Sequence, residues 1–153
     1  MKRFVWRLQR VLDIKIKEEE VKRAELIKLT ERLAEARSEL LIQKRILENI
    51  ISDIAGKKTA ERLSQQEFFL KHSKVTDEQI KKMEKKVGDL ESEQRKKIVE
   101  VLKIRRFRKE LEKLREEAKR RFIEEQEKLE QKELDEGATI SFARKVQKIM
   151  VGS

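Results

Sequence analysis

Few residues in this 153-residue sequence have the type and spacing that catalysis or metal binding requires. The only histidine, His72, is not accompanied by an Asp and a Ser or Cys in an arrangement that could form a catalytic triad. The chain contains no cysteine. The four glycines are too scattered to form a phosphate-binding loop. Glutamates recur at helical spacing from basic residues, as Glu18 does from Lys22, which is typical of a solvated helix face. The sequence therefore predicts a protein that is not an enzyme, with no catalytic residue, metal site or cofactor.

The first twelve residues have instead the composition of a binding surface. Basic and apolar side chains alternate from Lys2 to Leu12. On a helix, Phe4, Leu8 and Leu12 would share one face and Trp6 would point away from it. An exposed aromatic ring among arginines is a frequent interface anchor. The alternative is that Trp6 packs against the C-terminal tail.

The C-terminal tail, residues 137–153, has a similar composition. Phe142, Val146, Ile149 and Met150 can form one helix face, with basic residues opposite them. No acidic residue occurs among positions 1–12 or after Glu136. In a hairpin these two ends would form one basic, partly apolar tip. A helix that lies on a membrane surface has this pattern, and so does a segment that enters a protein ring.

Long helices must position these ends, because an apolar residue recurs every three or four positions over much of the chain. We call this repeat the seam. A period of 3.5 residues gives a narrow stripe that must wind against a partner with the same spacing. The first seam reaches back to the N-terminus with three polar interruptions, and its regular part is Leu26, Leu29, Leu33, Ala36, Leu40, Gln43, Leu47, Ile50 and Ile54.

A second seam follows after a stretch that lacks the repeat. It contains more polar residues than the first and starts at Ile80, after a candidate capping box at Thr76–Gln79. The sequence predicts an all-α protein, a single long two-helix antiparallel coiled-coil hairpin over 1–153. Helix 1 is expected over about 2–55, a turn region over about 56–76, helix 2 over about 77–136 and a basic tail over 137–153. Each helix would be about 80 Å long.

The hairpin makes a testable prediction about charge pairs. Folding near residue 66 would bring Glu19 close to Lys113 or Arg115, and Lys22 close to Glu110 or Glu112. The alternative is that these long side chains extend into water. The turn region carries Phe68, Phe69 and Leu70, which are either buried by local collapse or presented to a partner.

Composition narrows the class of protein further. Charged residues make up 46% of the chain and proline is absent, which is typical of a coiled coil and leaves no broad core. Neither a secretory signal nor a membrane-spanning segment is expected, so a cytoplasmic location is the default. The net charge of +10 favours acidic partners of any kind. Nucleic acid is not expected as a partner, because glutamates interrupt the basic stretch from Arg95 to Arg121 and no aromatic platform accompanies it.

Two segments make the chain resemble the flagellar export protein FliJ family of the bacterial type III secretion apparatus. The N-terminal segment Phe4–Asp13 is similar to the opening of the family, with an aromatic residue and a leucine followed by Val-Leu. The segment Gln131–Ala138 contains the Leu-Asp-Glu block of the closing signature, ahead of a basic end. The sequence departs from the family at Gly137, where a larger residue is frequent, and this puts continuation of the helix past Glu136 in doubt.

The resemblance implies a stalk-like coiled coil whose paired termini enter the central pore of the hexameric flagellar export ATPase. It also implies a contact with the cytoplasmic domain of the export gate, a role in handling export chaperones, and a peripheral location at the cytoplasmic face of the inner membrane. The gate contact would fall on Phe68, Phe69 and Leu70. The residues implied for the ATPase ring are Phe4, Trp6, Arg7, Leu8, Arg10, Leu134, Asp135, Arg144 and Lys145.

Two other classes of function remain open from the sequence. One is a basic coiled coil that binds nucleic acid or an anionic membrane surface. The other is a structural coiled coil that dimerises in parallel through the seam from Leu26 to Ile54.

Overall fold

The computed structural model describes residues 2–152 and contains two long helices. Helix α1 is Gln9–Ala55, with 47 residues, and helix α2 is Thr59–Val151, with 93 residues. The described residues contain no β-strand. The two helices pack against each other in an all-α helical hairpin, which confirms the predicted fold class.

The hairpin is built from two compact units, one of Met1–Lys17 with Arg105–Ser153 and the other of Glu18–Ile104. In the second unit, the core consists of Leu33, Ala36 and Val87, with Leu40 and Leu90 packed against them. All five residues belong to the seams predicted from the sequence. A narrow seam of this kind buries few side chains completely, and only Leu33 falls to 1% exposed.

Contacts between the helices of the second unit establish the antiparallel direction. Thr30 accepts a hydrogen bond from Gln94 at 3.2 Å, and Arg37 lies 2.9 Å from Glu91. Farther along α1, Lys44 lies 3.2 Å from Glu84. Residue numbers rise on α1 while they fall on α2, so the chain reverses direction between them.

Four charged residues form a cluster across α1 and α2 in this unit. Lys97 lies 2.8 Å from Glu25 and 3.4 Å from Glu100, and Lys22 lies 3.6 Å and 3.4 Å from the same two carboxylates. The hydrogen bond from Lys97 holds the pKa of Glu25 below its usual value. The positive charge of Lys22 is the main cause that lowers the pKa of Glu100. These charges sit at or beside the seam and align one helix with the other.

This cluster corrects the predicted charge pairs. Lys22 pairs with Glu100, which lies ten positions before Glu110 in the sequence, and Arg115 bonds Gln9 and not Glu19. The expected pairs assumed that the chain folds symmetrically about residue 66. The chain in fact turns at residues 56–58, between the end of α1 and the start of α2.

The predicted turn region of 56–76 is therefore wrong, because residues 59–76 are helical. The loss of the seam in this stretch does not break the helix, since neither proline nor glycine occurs between Lys57 and Val75. Thr76 does not act as an N-cap. Its hydroxyl donates a hydrogen bond at 3.1 Å to the carbonyl oxygen of His72, one turn earlier in the same helix.

The predicted end of helix 2 near residue 136 is also wrong. Helix α2 continues through Gly137 to Val151, so the described part of the expected tail is almost entirely helical. No glycine among the described residues has a positive φ, so Gly137 does not form a left-handed C-cap. Thr139 donates a hydrogen bond at 2.8 Å to the carbonyl oxygen of Asp135, across the glycine. An isolated glycine costs a helix only about 1 kcal/mol, which the long flanking helix tolerates.

The start of helix 1 differs from the expected residue 2 as well, because α1 begins at Gln9. The backbone amide of Gln9 donates to the carbonyl oxygen of Trp6 at 3.1 Å, and Leu12 donates to Leu8 at 3.1 Å. The preceding residues have no regular secondary structure apart from a turn at residues 7 and 8.

Candidate functional site

The N-terminal segment, residues 2–12, packs against α2 with alternate side chains. Phe4, Trp6 and Leu8 are half-buried, whereas Val5 and Arg7 between them are exposed. From Phe4 to Trp6, before the turn at residues 7 and 8, this alternation is the signature of an extended chain, in which neighbouring side chains point to opposite sides. Trp6 therefore lies on the same side as Phe4. This corrects the expectation that Trp6 points away from the others, and the alternative that it packs on the C-terminal tail also fails.

Aromatic and polar contacts hold this segment in place on α2. The rings of Phe4 and Phe122 are tilted by 53° with centroids 5.5 Å apart, a favourable geometry for an aromatic pair. The guanidinium carbon of Arg115 lies 5.8 Å from the centre of the Phe4 ring. Arg115 Nε also donates a hydrogen bond of 2.8 Å to Gln9 Oε1. One arginine thus joins the ring of Phe4 to the first turn of α1.

The outward side of the same segment is positively charged. Arg7 and Arg10 are exposed, as are Lys2 and Arg3. Four cations over nine residues, with no acidic side chain among them, give a local field that attracts an acidic surface. Val5, at 82% exposed, is the one apolar side chain of the segment that is turned almost fully to solvent.

The four C-terminal residues that the resemblance implies for the ATPase ring do not lie beside the N-terminal segment. Leu134, Asp135, Arg144 and Lys145 are all exposed, and every described residue from Glu127 onward is exposed. Leu134 is twelve residues beyond Phe122 along α2, about 18 Å at 1.5 Å per residue. The structure therefore places Phe4 on α2, with Trp6 and Leu8 half-buried beside it in the chain, and not beside these four residues. The expected single tip of paired termini is corrected, because α2 continues past the N-terminal segment.

A second surface lies beside the connection between the helices, within the unit of Glu18–Ile104. Phe68 is 65% exposed and Leu70 is 69% exposed, while Phe69 is half-buried. The ring of His72 stacks on Phe68 with centroids 4.3 Å apart and a 23° tilt. The sequence left open whether these three residues are buried or presented to a partner. Phe68 and Leu70 are exposed to solvent, and Phe69 is partly buried.

A groove of about 650 Å³ separates α1 from α2 beside these residues. Phe68, Phe69 and His72 line one wall, and Ile46 and Ile50 line the other. The groove is open to solvent, since Ile46 is 46% exposed and Ile50 is 42% exposed. Ile50 is exposed even though it occupies a seam position. The helices thus separate near the connection, where the α2 seam is missing.

The sequence analysis did not identify the isoleucines as part of a surface. Ile46, Ile50 and Ile51 are exposed, together with Leu41 and Ile42. The sequence does contain a sign of this surface. A narrow seam buries only two residues of each heptad, and residues 40–54 contain more apolar side chains than such a seam can bury.

Metal-binding clusters and membrane-spanning helices are not found among the described residues. Within residues 2–152, no group of His, Cys, Asp or Glu side chains is arranged to hold a metal ion. Over the same residues, neither helix has a stretch that is both long and apolar enough to cross a bilayer.

Comparison with known proteins gives one match. The family model described as Flagellar FliJ protein matches residues 3–147, which is nearly the whole chain and includes both Phe4–Asp13 and Gln131–Ala138. No curated protein and no solved structure matches. Since the family model spans well over half of the chain, this protein belongs to the flagellar FliJ family, whose members are non-enzymatic components with a role in flagellar export.

Proposed function

We propose that this protein is a stalk-like component that couples the hexameric flagellar export ATPase to the export gate. Its N-terminal segment contacts the central pore of the ATPase ring, and the surface near the connection between α1 and α2 contacts the cytoplasmic domain of the gate. Handling of export chaperones is a further proposed role. The protein would then act in the cytoplasm, held peripherally at the inner membrane by the export apparatus.

The observation that carries the ring contact is the two-sided N-terminal segment. Its half-buried rings hold it on α2, and its outward side carries Arg7 and Arg10. Because these arginines are exposed on a segment that Phe4 anchors to α2, and no acidic residue lies within the segment, they are suited to an acidic pore lining. Leu134, Asp135, Arg144 and Lys145 would contact the ring separately, deeper along the exposed end of α2.

Measuring ATP hydrolysis by the purified export ATPase tests the ring contact. We expect the wild-type chain to stimulate hydrolysis and the double variant Arg7→Gln/Arg10→Gln to lose most of that stimulation while keeping its helical circular dichroism. The variant Arg105→Gln/Arg106→Gln removes two exposed charges from α2 in the same unit and is the matched control. Full stimulation by the first variant, or an equal loss in both, would refute the contact.

The gate contact is supported by the exposed apolar side chains of Phe68 and Leu70 beside an open groove. Such patches are typical of protein interaction sites. We expect Phe68→Ser/Leu70→Ser to weaken capture of the gate cytoplasmic domain while stimulation of the ATPase is retained. Val99→Ser/Leu102→Ser, which changes two exposed apolar residues elsewhere on α2, should have no effect on either measurement. Loss of both activities in the Phe68 variant would mean that the two contacts are not separate.

A further inference from the structure

The last turns of α2 are exposed along their whole described length. Every described residue from Glu127 to Val151 is exposed, including large apolar side chains such as Phe142 at 68% and Ile149 at 74%. Leaving such side chains in water is unfavourable, so a helix that keeps them there is suited to a contact outside the chain.

The exposed residues of this segment are divided into two faces. At 100° per residue, Phe142, Val146, Ile149 and Met150 occupy an arc of about 100°. Arg144, Lys145 and Lys148 occupy a separate arc of about 100° on the other side. Ile140 and Val151, at the two ends of the segment, lie outside the apolar arc. From Ala138 to Val151 the helix is therefore amphipathic, and the charged residues of its polar side are all cations.

The charge pattern identifies the kind of surface that this helix fits. No acidic residue follows Glu136, so the three cations have no partner of opposite charge within the segment. A second copy of the same helix would bring six cations together, which is unfavourable. The apolar arc is also broader than the strict two-in-seven seam of a coiled coil. A broad apolar face with cations beside it fits an anionic lipid surface, where the long stems of Lys145 and Lys148 extend to the headgroups.

We propose that the amphipathic end of α2, residues 138–151, binds directly to the surface of anionic membranes. The apolar arc enters the boundary between headgroups and acyl chains, and the cations contact anionic headgroups. Because Arg144 and Lys145 also belong to the proposed ring contact, a molecule bound to lipid through this helix would not engage the ring with it at the same time. The lipid contact itself does not require the ATPase, so it can be tested alone.

Flotation of the full-length protein with vesicles tests this proposal. We expect binding to vesicles that contain phosphatidylglycerol at about 0.15 M salt, and little binding to vesicles of phosphatidylcholine alone. Phe142→Ser/Ile149→Ser should lower the partition coefficient by more than about tenfold, since two large apolar side chains no longer enter the lipid. Arg144→Gln/Lys145→Gln/Lys148→Gln should lower it by roughly a hundredfold, because each cation near an anionic surface contributes.

The chain offers a closely matched control for the charge variant. Lys81, Lys82 and Lys85 are exposed residues of α2 with the same spacing as Arg144, Lys145 and Lys148. Lys81→Gln/Lys82→Gln/Lys85→Gln should bind vesicles nearly as the wild type does. An equal loss in this control would mean that net charge alone drives binding, and would overturn the proposal.

Two further outcomes would also overturn the proposal. One is retention of full vesicle binding by Phe142→Ser/Ile149→Ser. The other is an absence of vesicle binding by a wild-type chain that stimulates the ATPase, in which case the amphipathic face serves a protein partner. Circular dichroism of each variant shows whether the remaining helix is intact, and failure of lipid binding leaves the ring contact of Arg7 and Arg10 unaffected.

Discussion

At the scale of single residues, stability depends on a few seam side chains. Leu33 is only 1% exposed and lies in the core cluster with Ala36 and Val87. We expect Leu33→Ala to lower the free energy of unfolding by about 2–4 kcal/mol, because it removes buried methyl groups and leaves a cavity. Leu41→Ala, at a leucine that is 66% exposed, should change it by less than about 0.5 kcal/mol. Chemical denaturation followed by circular dichroism measures both, and equal effects would contradict the observed register of the seam.

The four-residue charge cluster makes stability depend on pH. The pKa values of Glu25 and Glu100 are lowered in the folded chain, mainly by the hydrogen bond from Lys97 and by the charge of Lys22 respectively. The stabilisation from these carboxylates is present above their unfolded pKa, near 4.5, and is lost as the pH falls through the lower folded value. Lys97 has a raised pKa, mainly through its hydrogen bond to Glu25, so its contribution is lost only as the pH rises above 10.5.

Thermal unfolding measured at about every pH unit from pH 3 to pH 7 gives this dependence. We expect Glu25→Gln/Glu100→Gln to flatten the acid side of the profile, since the carboxylates no longer titrate. Glu31→Gln, at an exposed carboxylate of the same helix, should keep the wild-type slope. An unchanged slope in the double variant would show that the cluster is not formed in solution.

The burial of single residues could be predicted from the sequence where the seam alone determined it. Burial of Leu33, Ala36 and Val87 follows from the seam alone. The orientation of Trp6 does not, because a helix was expected from residue 2 and α1 begins only at Gln9. The alternation from Phe4 to Leu8 was visible, but a period of two over five residues is a weak signal beside a long helical repeat.

At the scale of helices, the structure shows that α2 tolerates glycine at two interior positions. A methyl group added at Gly88 or Gly137 would meet no atom within 4 Å outside its own helix backbone. We expect Gly88→Ala to raise the free energy of unfolding by about 0.5–1 kcal/mol through reduced freedom of the unfolded chain. Gly137→Ala should instead raise the helical content of the C-terminal end, since the described residues of that end are all exposed and its unfolding need not be part of the global transition.

Differential scanning calorimetry and circular dichroism separate these two effects. Ala24→Gly, at an exposed position of α1, should lower stability by about as much as Gly88→Ala raises it. Destabilisation by Gly88→Ala would contradict the open space found beside that glycine.

Helix boundaries were harder to predict than helix existence. Gly56 and Gly137 look alike in the sequence, yet the chain turns after the first and continues through the second. The difference lies in the surroundings, because the seam of α1 reaches Ile54, just before residues 56–58, and packs on the seam of α2, whereas a methyl group at Gly137 would meet no atom within 4 Å outside its own helix backbone. Tertiary contacts thus decide which glycine ends a helix, and a single sequence carries little information about them.

At the scale of the whole molecule, the chain folds back on itself and leaves one end of α2 exposed. The fold class and the antiparallel direction were predictable, since two seams flank a single glycine-containing connection. The separation of the N-terminal segment from Leu134 and Arg144 was not, because the position of the bend was misplaced by several residues. The observed pairs are shifted by ten residues from the expected ones, since Lys22 lies beside Glu100 and not Glu110, and Arg115 bonds Gln9 and not Glu19.

The central claim is that the N-terminal segment packs on α2 near Arg115, within one chain, and not beside the C-terminal end. The chain contains no cysteine, so engineered pairs can be cross-linked without background. We predict that Gln9→Cys/Arg115→Cys forms a disulfide within one chain on mild oxidation, whereas Gln9→Cys/Arg144→Cys does not, since Arg144 lies about 43 Å farther along α2. A disulfide in the second variant, or one that forms only between two chains in the first, would contradict the account.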